Sequence, residues 1–124
     1  MIKVLFVEPD RSLGEIYLKY FTKLGYQVKW AQSSNSALEF IDNFNPDLIV
    51  LELQMTSHNG LELMYEIRSY PDWGNIKIML NTSVKETMLK KSPTYKQLGV
   101  GKYTYKPNTT LQEMAVSIEA LVTA

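Results

Sequence analysis

Acidic residues stand at or close behind the ends of apolar runs in this sequence, where they could meet in a polar site. Glu8 and Asp10 follow the N-terminal run IKVLFV, and Glu52 lies near the end of the run DLIVLEL. A lysine, Lys106, closes the later segment KYTYK. Two or three carboxylates that face one lysine make a polar site, and its simplest form is a buried ion pair.

Five strand-like segments alternate with five helix-like segments, which predicts a parallel sheet of an α/β domain. Continuous apolar runs at 4–7 and 48–51 are typical of central strands, whereas alternating patterns, as at Val28/Trp30 and Tyr103/Tyr105, are typical of edge strands. We therefore expect a three-layer, flavodoxin-like fold with strand order 2-1-3-4-5 and one domain over residues 1–124. The predicted strands are 2–7, 27–31, 47–53, 76–80 and 102–106.

This topology predicts where the polar residues meet. Ligands bind beyond the carboxyl ends of the strands where the strand order reverses, here between strands 1 and 3. Glu8, Asp10 and Glu52 would arrive there, together with Lys106 and the polar residues that follow strand 4, which are Asn81, Thr82 and Ser83. Taken singly, Asp10 and Ser83 are better explained as caps of the helices that they precede.

Helix-start signals occur at five places. Asp10 and Asn59 are single cap candidates, and three pairs have capping-box spacing: Ser36/Glu39, Ser83/Glu86 and Thr110/Glu113. The segment 84–98 has the weakest helical pattern because Ser92-Pro93 interrupts it, so we expect a kink, a break or a long loop there.

Composition excludes several classes of protein. The 124 residues include 13 basic and 13 acidic side chains, and a neutral chain is not suited to gripping nucleic acid directly. Cysteine is absent, which rules out disulfides and thiolate metal sites. The N-terminal apolar run is too short for a signal peptide or a membrane span, so we expect a cytoplasmic domain that does not act at a membrane.

Four stretches resemble the receiver domain of two-component response regulators. They are KVLFVEPD, PDLIVLELQM followed by NGLEL, IKIMLNTS, and LGVGKYTYKP, and the resemblance extends over essentially the whole chain. It implies a signalling domain rather than an enzyme. In that family an acidic pair and an aspartate hold magnesium, the aspartate accepts a phosphoryl group, and a Ser or Thr and a Lys contact the phosphoryl oxygens.

The correspondence is uneven from residue to residue. Glu8, Gly60, Lys106 and Tyr103 match the first acid, the loop glycine, the lysine and the switch aromatic. Three positions depart: Pro9 replaces the second acid, Glu52 replaces the phosphoacceptor aspartate, and Asn81 replaces the hydroxyl residue, with Thr82 one place late.

These departures predict altered chemistry. Mg²⁺ requires well-placed oxygen ligands, and Pro9 has none, so we expect no resident cofactor and weak or absent magnesium binding. Glu52 is one methylene longer than aspartate and could imitate the phosphorylated residue by pairing with Lys106 and accepting a hydrogen bond from Asn81. Alternatively, Glu52 only neutralises Lys106 in a decayed site.

The remaining alternatives concern function and partners. The leading hypothesis is a phosphorylation-independent pseudo-receiver, with a magnesium-dependent phosphoacceptor receiver and a flavodoxin-like cofactor binder as alternatives. Lys102, Tyr103 and Tyr105 are candidates for a partner face that binds a histidine kinase, an effector domain or a second copy. The single histidine, His58, lies in a polar loop and is not expected to bind metal or relay phosphate.

Overall fold

The sheet has the predicted topology. The computed structural model describes residues 1–55 and 59–124, so His58 lies outside the described residues. Five parallel strands have the order β2-β1-β3-β4-β5. Their bounds are β1 (Lys3–Val7), β2 (Gln27–Ala31), β3 (Leu48–Leu51), β4 (Lys77–Thr82) and β5 (Val100–Tyr105).

Helices cover both faces of this sheet and give it three layers. The helices are α1 (Arg11–Lys23), α2 (Ser34–Phe44), α3 (Gly60–Ser69), α4 (Glu86–Leu89) and α5 (Leu111–Thr123). One apolar cluster joins the sheet to α1 and α5, and a second joins it to α2, α3 and α4. β1 and β3 are buried on both faces, which explains their continuous apolar sequence.

Three of the predicted helix caps are present. Asp10 accepts a hydrogen bond from the backbone N–H of Leu13, and Asn59 accepts one from that of Leu61. Thr110 forms a capping box with Glu113. α1 ends just before Gly25, whose φ of +94° suits a residue without a Cβ.

The other two predicted starts are wrong. Ser33, not Ser36, caps α2, because the backbone of Ser33 is extended and its hydroxyl accepts from the Ser36 N–H, 3.2 Å away. α4 begins after Lys85 without a side-chain cap. The predicted break in 84–98 is confirmed, since only the one-turn α4 and a 3₁₀ turn at Tyr95–Leu98 form there.

None of the helices in the described ranges is both long and apolar enough to cross a membrane.

Candidate functional site

Glu8 and Glu52 leave adjacent strands at the same level. Val7 pairs with Leu51 in the register of β1 and β3, so the next residue of each strand reaches the same edge of the sheet. The backbone N–H of Glu52 donates to the carbonyl oxygen of Val7, 3.0 Å away. Glu8 and Glu52 are buried, at 2% and 3% exposure, which is unusual for glutamate. Their negative charges therefore need hydrogen-bond donors or a positive charge nearby.

Lys106 supplies that positive charge from the end of β5. Its Nζ lies 2.6 Å from Glu8 Oε1 and 2.8 Å from Glu52 Oε1. The site therefore contains two carboxylates and one ammonium group.

The Glu52 carboxylate accepts hydrogen bonds from three further donors. Oε1 also faces the backbone N–H of Ser83 at 3.3 Å, and Oε2 accepts from the hydroxyl of Thr82 and from the backbone N–H of Gln54. The backbone donors were not predicted, because only their placement in the loops after β3 and β4 aims them at the carboxylate. Together with Lys106, four donors converge on the Glu52 side chain.

The expected contact between Asn81 and Glu52 is wrong. β4 extends to Thr82, and because side chains alternate between the faces of a strand, Thr82 meets Glu52 while Asn81 points the other way. Asn81 is buried and donates to the hydroxyl of Tyr17, while its Oδ1 accepts from Thr104. The hydroxyl of Thr82 therefore contacts the Glu52 carboxylate, although Thr82 lies one residue after the position that the resemblance implies.

Asp10 does not extend the acidic pocket with its side chain. The side chain is exposed and occupied as the cap of α1. Only its backbone N–H reaches the site, where it donates to Glu8 Oε2 at 3.1 Å.

Comparison with known proteins identifies the family to which this chain belongs. The profile described as "Response regulator receiver domain" matches residues 4–118. The chain belongs to the response regulator receiver domain family. It is 35% identical over 109 residues to the transcriptional regulatory protein MalR of Bacillus subtilis, which covers 86% of this chain and 45% of MalR. The chain thus spans less than half the length of this curated relative.

Solved structures confirm the fold. The non-phosphorylated HemR receiver domain from Leptospira biflexa superposes with a TM-score of 0.83 at 24% identity, over 100% of this chain and 96% of that one. The response regulator TrrA from Thermotoga maritima, solved in complex with Mg(2+)-BeF, gives a TM-score of 0.81 at 24% identity, over 98% and 99%.

In this receiver domain the side chains around Glu8 and Glu52 do not suit Mg²⁺. All four carboxylate oxygens of these two glutamates already accept hydrogen bonds or ion-pair contacts from protein donors. The neighbouring Pro9 offers no side-chain oxygen. The ammonium group of Lys106 also contacts both carboxylates and would compete with a divalent ion for their oxygens.

Burial and the contacts between Glu8, Glu52 and Lys106 have opposite effects on the pKa values of Glu8 and Lys106. Burial raises the pKa of Glu8, and the contacts with Lys106 offset only part of that shift. Burial lowers the pKa of Lys106, but the hydrogen bonds and charges of Glu52 and Glu8 outweigh it, so the net shift is upward. Lys106 therefore stays charged, and Glu8 takes up a proton more readily than an exposed glutamate would.

A tryptophan fixes the backbone of Glu8, and the sequence analysis gave it no such role. The indole Nε1–H of Trp30, on β2, donates to the carbonyl oxygen of Glu8 at 2.9 Å. The ring occupies the space beside Gly14 of α1, where an added Cβ would lie 1.9 Å from an indole carbon. A glycine inside a helical pattern was the available signal for this close approach.

The residues expected at a partner face lie on the edge strand β5. Tyr103 is half-buried, and its hydroxyl donates to the carbonyl oxygen of Val84. Lys102 is exposed and Tyr105 is half-buried. The backbone N–H of Val84 in turn donates to the hydroxyl of Thr82 at 3.1 Å, so Tyr103 and Glu52 are linked through two residues.

Proposed function

We propose that this receiver domain signals without phosphorylation, because Glu52 holds its site in the arrangement that a phosphorylated aspartate imposes in the family. The observation that carries the proposal is the set of four donors on the Glu52 carboxylate: Lys106, the Thr82 hydroxyl, and the N–H groups of Ser83 and Gln54. The lysine and the hydroxyl are the groups that family members direct at the phosphoryl oxygens.

The length of the side chain supports this role. Glutamate carries its charge one carbon–carbon bond beyond the position of an aspartate carboxylate, roughly 1.5 Å further on the scale of backbone bonds. That displacement moves the oxygens toward the donors around a phosphoryl group and away from the position of the nucleophile. Since positioned reactions lose about 100-fold for a displacement of about 1 Å, the same change disfavours phosphoryl transfer to Glu52.

The donor set around Glu8 also favours a magnesium-independent domain. Phosphoryl transfer relies on a metal to neutralise developing charge, and here Lys106 contacts both carboxylates and would compete with a metal for their oxygens. We infer that the domain needs no cofactor and catalyses no reaction.

The output of such a domain is a protein contact. The hydrogen-bonded path from Glu52 through Thr82 and Val84 ends at Tyr103, so the state of the site can influence the β5 edge. We therefore place the partner face at Lys102, Tyr103 and Tyr105. The partner is a protein, either a kinase, an effector domain or a second copy, and not nucleic acid or a membrane.

Two alternatives give different results in one experiment. The protein is incubated with acetyl phosphate and Mg²⁺ and its intact mass is measured, and the NMR signals of the Tyr103 ring are compared between wild type and Glu52→Gln. We expect no added phosphate and a displaced Tyr103 signal in Glu52→Gln. The exposed Glu62→Gln is the matched control and should leave Tyr103 unchanged.

Each contrary result identifies the alternative. A mass gain of one phosphate that disappears in Glu52→Gln means that the domain is a competent phosphoacceptor. An unmoved Tyr103 in Glu52→Gln, without phosphorylation of the wild type, means that Glu52 only neutralises Lys106 in a decayed site.

A further inference from the structure

We propose that an apolar groove between α2 and α3 binds a partner protein segment in which arginine or lysine alternates with apolar side chains. The groove has a volume of about 440 Å³, and its apolar lining is Leu38, Tyr70, Pro71 and Trp73. It lies where α2 and α3 end, which is the sheet edge opposite to the one that carries Glu52. The inference is therefore independent of the function proposed above.

The aromatic part of the groove is held in place before any partner binds. Pro71 begins a one-turn 3₁₀ helix, and the backbone N–H of Trp73 donates to the carbonyl oxygen of Tyr70 at 3.0 Å. The two rings lie 4.6 Å apart, and Trp73 also packs against the core. Tyr70 is nevertheless 46% exposed. An aromatic pair with one ring packed and the other exposed offers contact area at low entropic cost and a face for a cation.

The rim of the groove is acidic and uncompensated. Glu39, Asp42 and Asp72 line it and are exposed. Within residues 1–55 and 59–124, none of these three carboxylates pairs with a lysine or arginine. Arg68, at the end of α3, instead donates to the backbone carbonyl oxygens of Leu98, Ile76 and Gly99.

The sequence concentrates this charge although the chain as a whole is neutral. Between Lys29 and Arg68 there are six acidic residues and no lysine or arginine, and two of the six, Glu39 and Asp42, line the groove. Charge complementarity therefore selects a basic segment, and the aromatic pair selects one that also carries apolar side chains.

The position of Asp42 indicates that the acidic rim of the groove serves binding and not stability. It lies in the last turn of α2, which contains no basic residue. An acid at that end of a helix opposes the dipole and lowers stability. Replacing it with asparagine should therefore leave the melting temperature unchanged or raise it, which separates a binding role from a structural one.

A second copy of this chain is the competing occupant. Eight of the thirteen basic residues lie in the range 68–106, ends included, toward the β4–β5 side. A contact from that side to the groove of another copy would be head-to-tail, so it would assemble rings or open chains instead of the two-fold dimer that is most common. A separate basic partner requires no such assembly.

The test is an NMR titration of the full chain with an Arg-Leu-Arg-Leu-Arg peptide and, as its match, a Glu-Leu-Glu-Leu-Glu peptide, at about 150 mM salt to screen diffuse attraction. We expect only the basic peptide to bind, with amide shifts at 38–42 and at residues 70, 72 and 73. Asp42→Asn and Tyr70→Ala should each weaken binding about fivefold, and Asp42→Asn should not lower the melting temperature. The control Glu62→Gln, in the first turn of α3, should retain wild-type affinity.

Several outcomes overturn the proposal. These are no binding of the basic peptide, equal binding of the acidic peptide, shifts spread over all acidic positions, and equal loss in Glu62→Gln. Shifts at the groove that appear without peptide as the protein concentration rises would assign the groove to a second copy.

Discussion

Glu52 and Glu8 share one lysine but contribute differently to stability. Glu52 accepts from four donors, three of them besides Lys106, whereas Glu8 accepts from Lys106 and from one backbone N–H. Lys106 keeps a carboxylate partner when either glutamate is replaced. The cost of a substitution is therefore set by the donors that lose an acceptor.

Glu52→Gln should consequently be the more damaging substitution. A glutamine amide nitrogen cannot accept a hydrogen bond, so at least one of the donors around Glu52 is left unsatisfied in a buried site. We expect the free energy of unfolding to fall by about 1–3 kcal/mol, as is typical for such a group. Urea unfolding at neutral pH measures it. A fall in Glu8→Gln as large as in Glu52→Gln would contradict the unequal roles.

The raised pKa of Glu8 predicts a pH dependence. Because the folded state binds this proton more tightly than the unfolded state, the stability that Glu8 contributes is complete below about pH 4.3, the ordinary glutamate value. It is lost as the pH rises through the raised folded pKa. Over that interval we expect the free energy of unfolding of Glu8→Gln to rise relative to that of wild type. Urea unfolding of both proteins from pH 4 upward measures the difference, and a constant difference would contradict the shift.

At the scale of the elements, the apolar patterns predicted the strands well and their ends less well. Continuous apolar runs predicted β1 and β3 because both faces of these strands are covered. The predicted end of strand 4 was two residues early, and this error left the opposite orientations of Asn81 and Thr82 unrecognised. Alternation makes orientation sensitive to a single residue, whereas burial patterns define a strand end only approximately.

The start of α2 shows a related limit. Ser33, Ser34 and Ser36 are chemically alike, and sequence alone does not say which hydroxyl meets the free N–H groups of the first turn. The structure assigns that contact to Ser33. Ser34 is buried, and among the described residues its Oγ is the buried side-chain polar atom without a hydrogen-bond partner.

Substitution of the two serines should have opposite effects. Ser33→Ala removes the cap and should lower the free energy of unfolding by about 1 kcal/mol. Ser34→Ala removes a buried hydroxyl without a protein partner and should leave stability unchanged or raise it by up to about 1 kcal/mol. Thermal and urea unfolding of the two variants provide the comparison. Equal losses in both would contradict the assignment of the cap.

For the whole molecule, the sequence predicted the family and the fold because these depend on repeated features. The charge separation between the α2–α3 side and the β4–β5 side was not recognised, since the totals cancel. The donors at Ser83 and Gln54 could not be predicted, because backbone groups carry no sequence signal.

Restoring family chemistry should require two changes at once. Pro9→Asp adds a metal ligand and Glu52→Asp adds the nucleophile at the family's reach, while the fold supplies Thr82 and Lys106. We expect the double variant to gain one phosphate from acetyl phosphate with Mg²⁺, measured by intact mass, and each single variant to gain none. Phosphorylation of Glu52→Asp alone would show that Pro9 does not prevent metal binding.

The four donors around Glu52 also have a consequence for how long the signal lasts. An acyl phosphate hydrolyses, so a phosphorylated aspartate gives a signal with a lifetime, whereas the side chain of Glu52 persists as long as the chain itself. Under the proposed function no phosphatase could reset this domain. The strength of its signal would then follow the number of molecules present, and synthesis, degradation and competition for the partner would become the means of control.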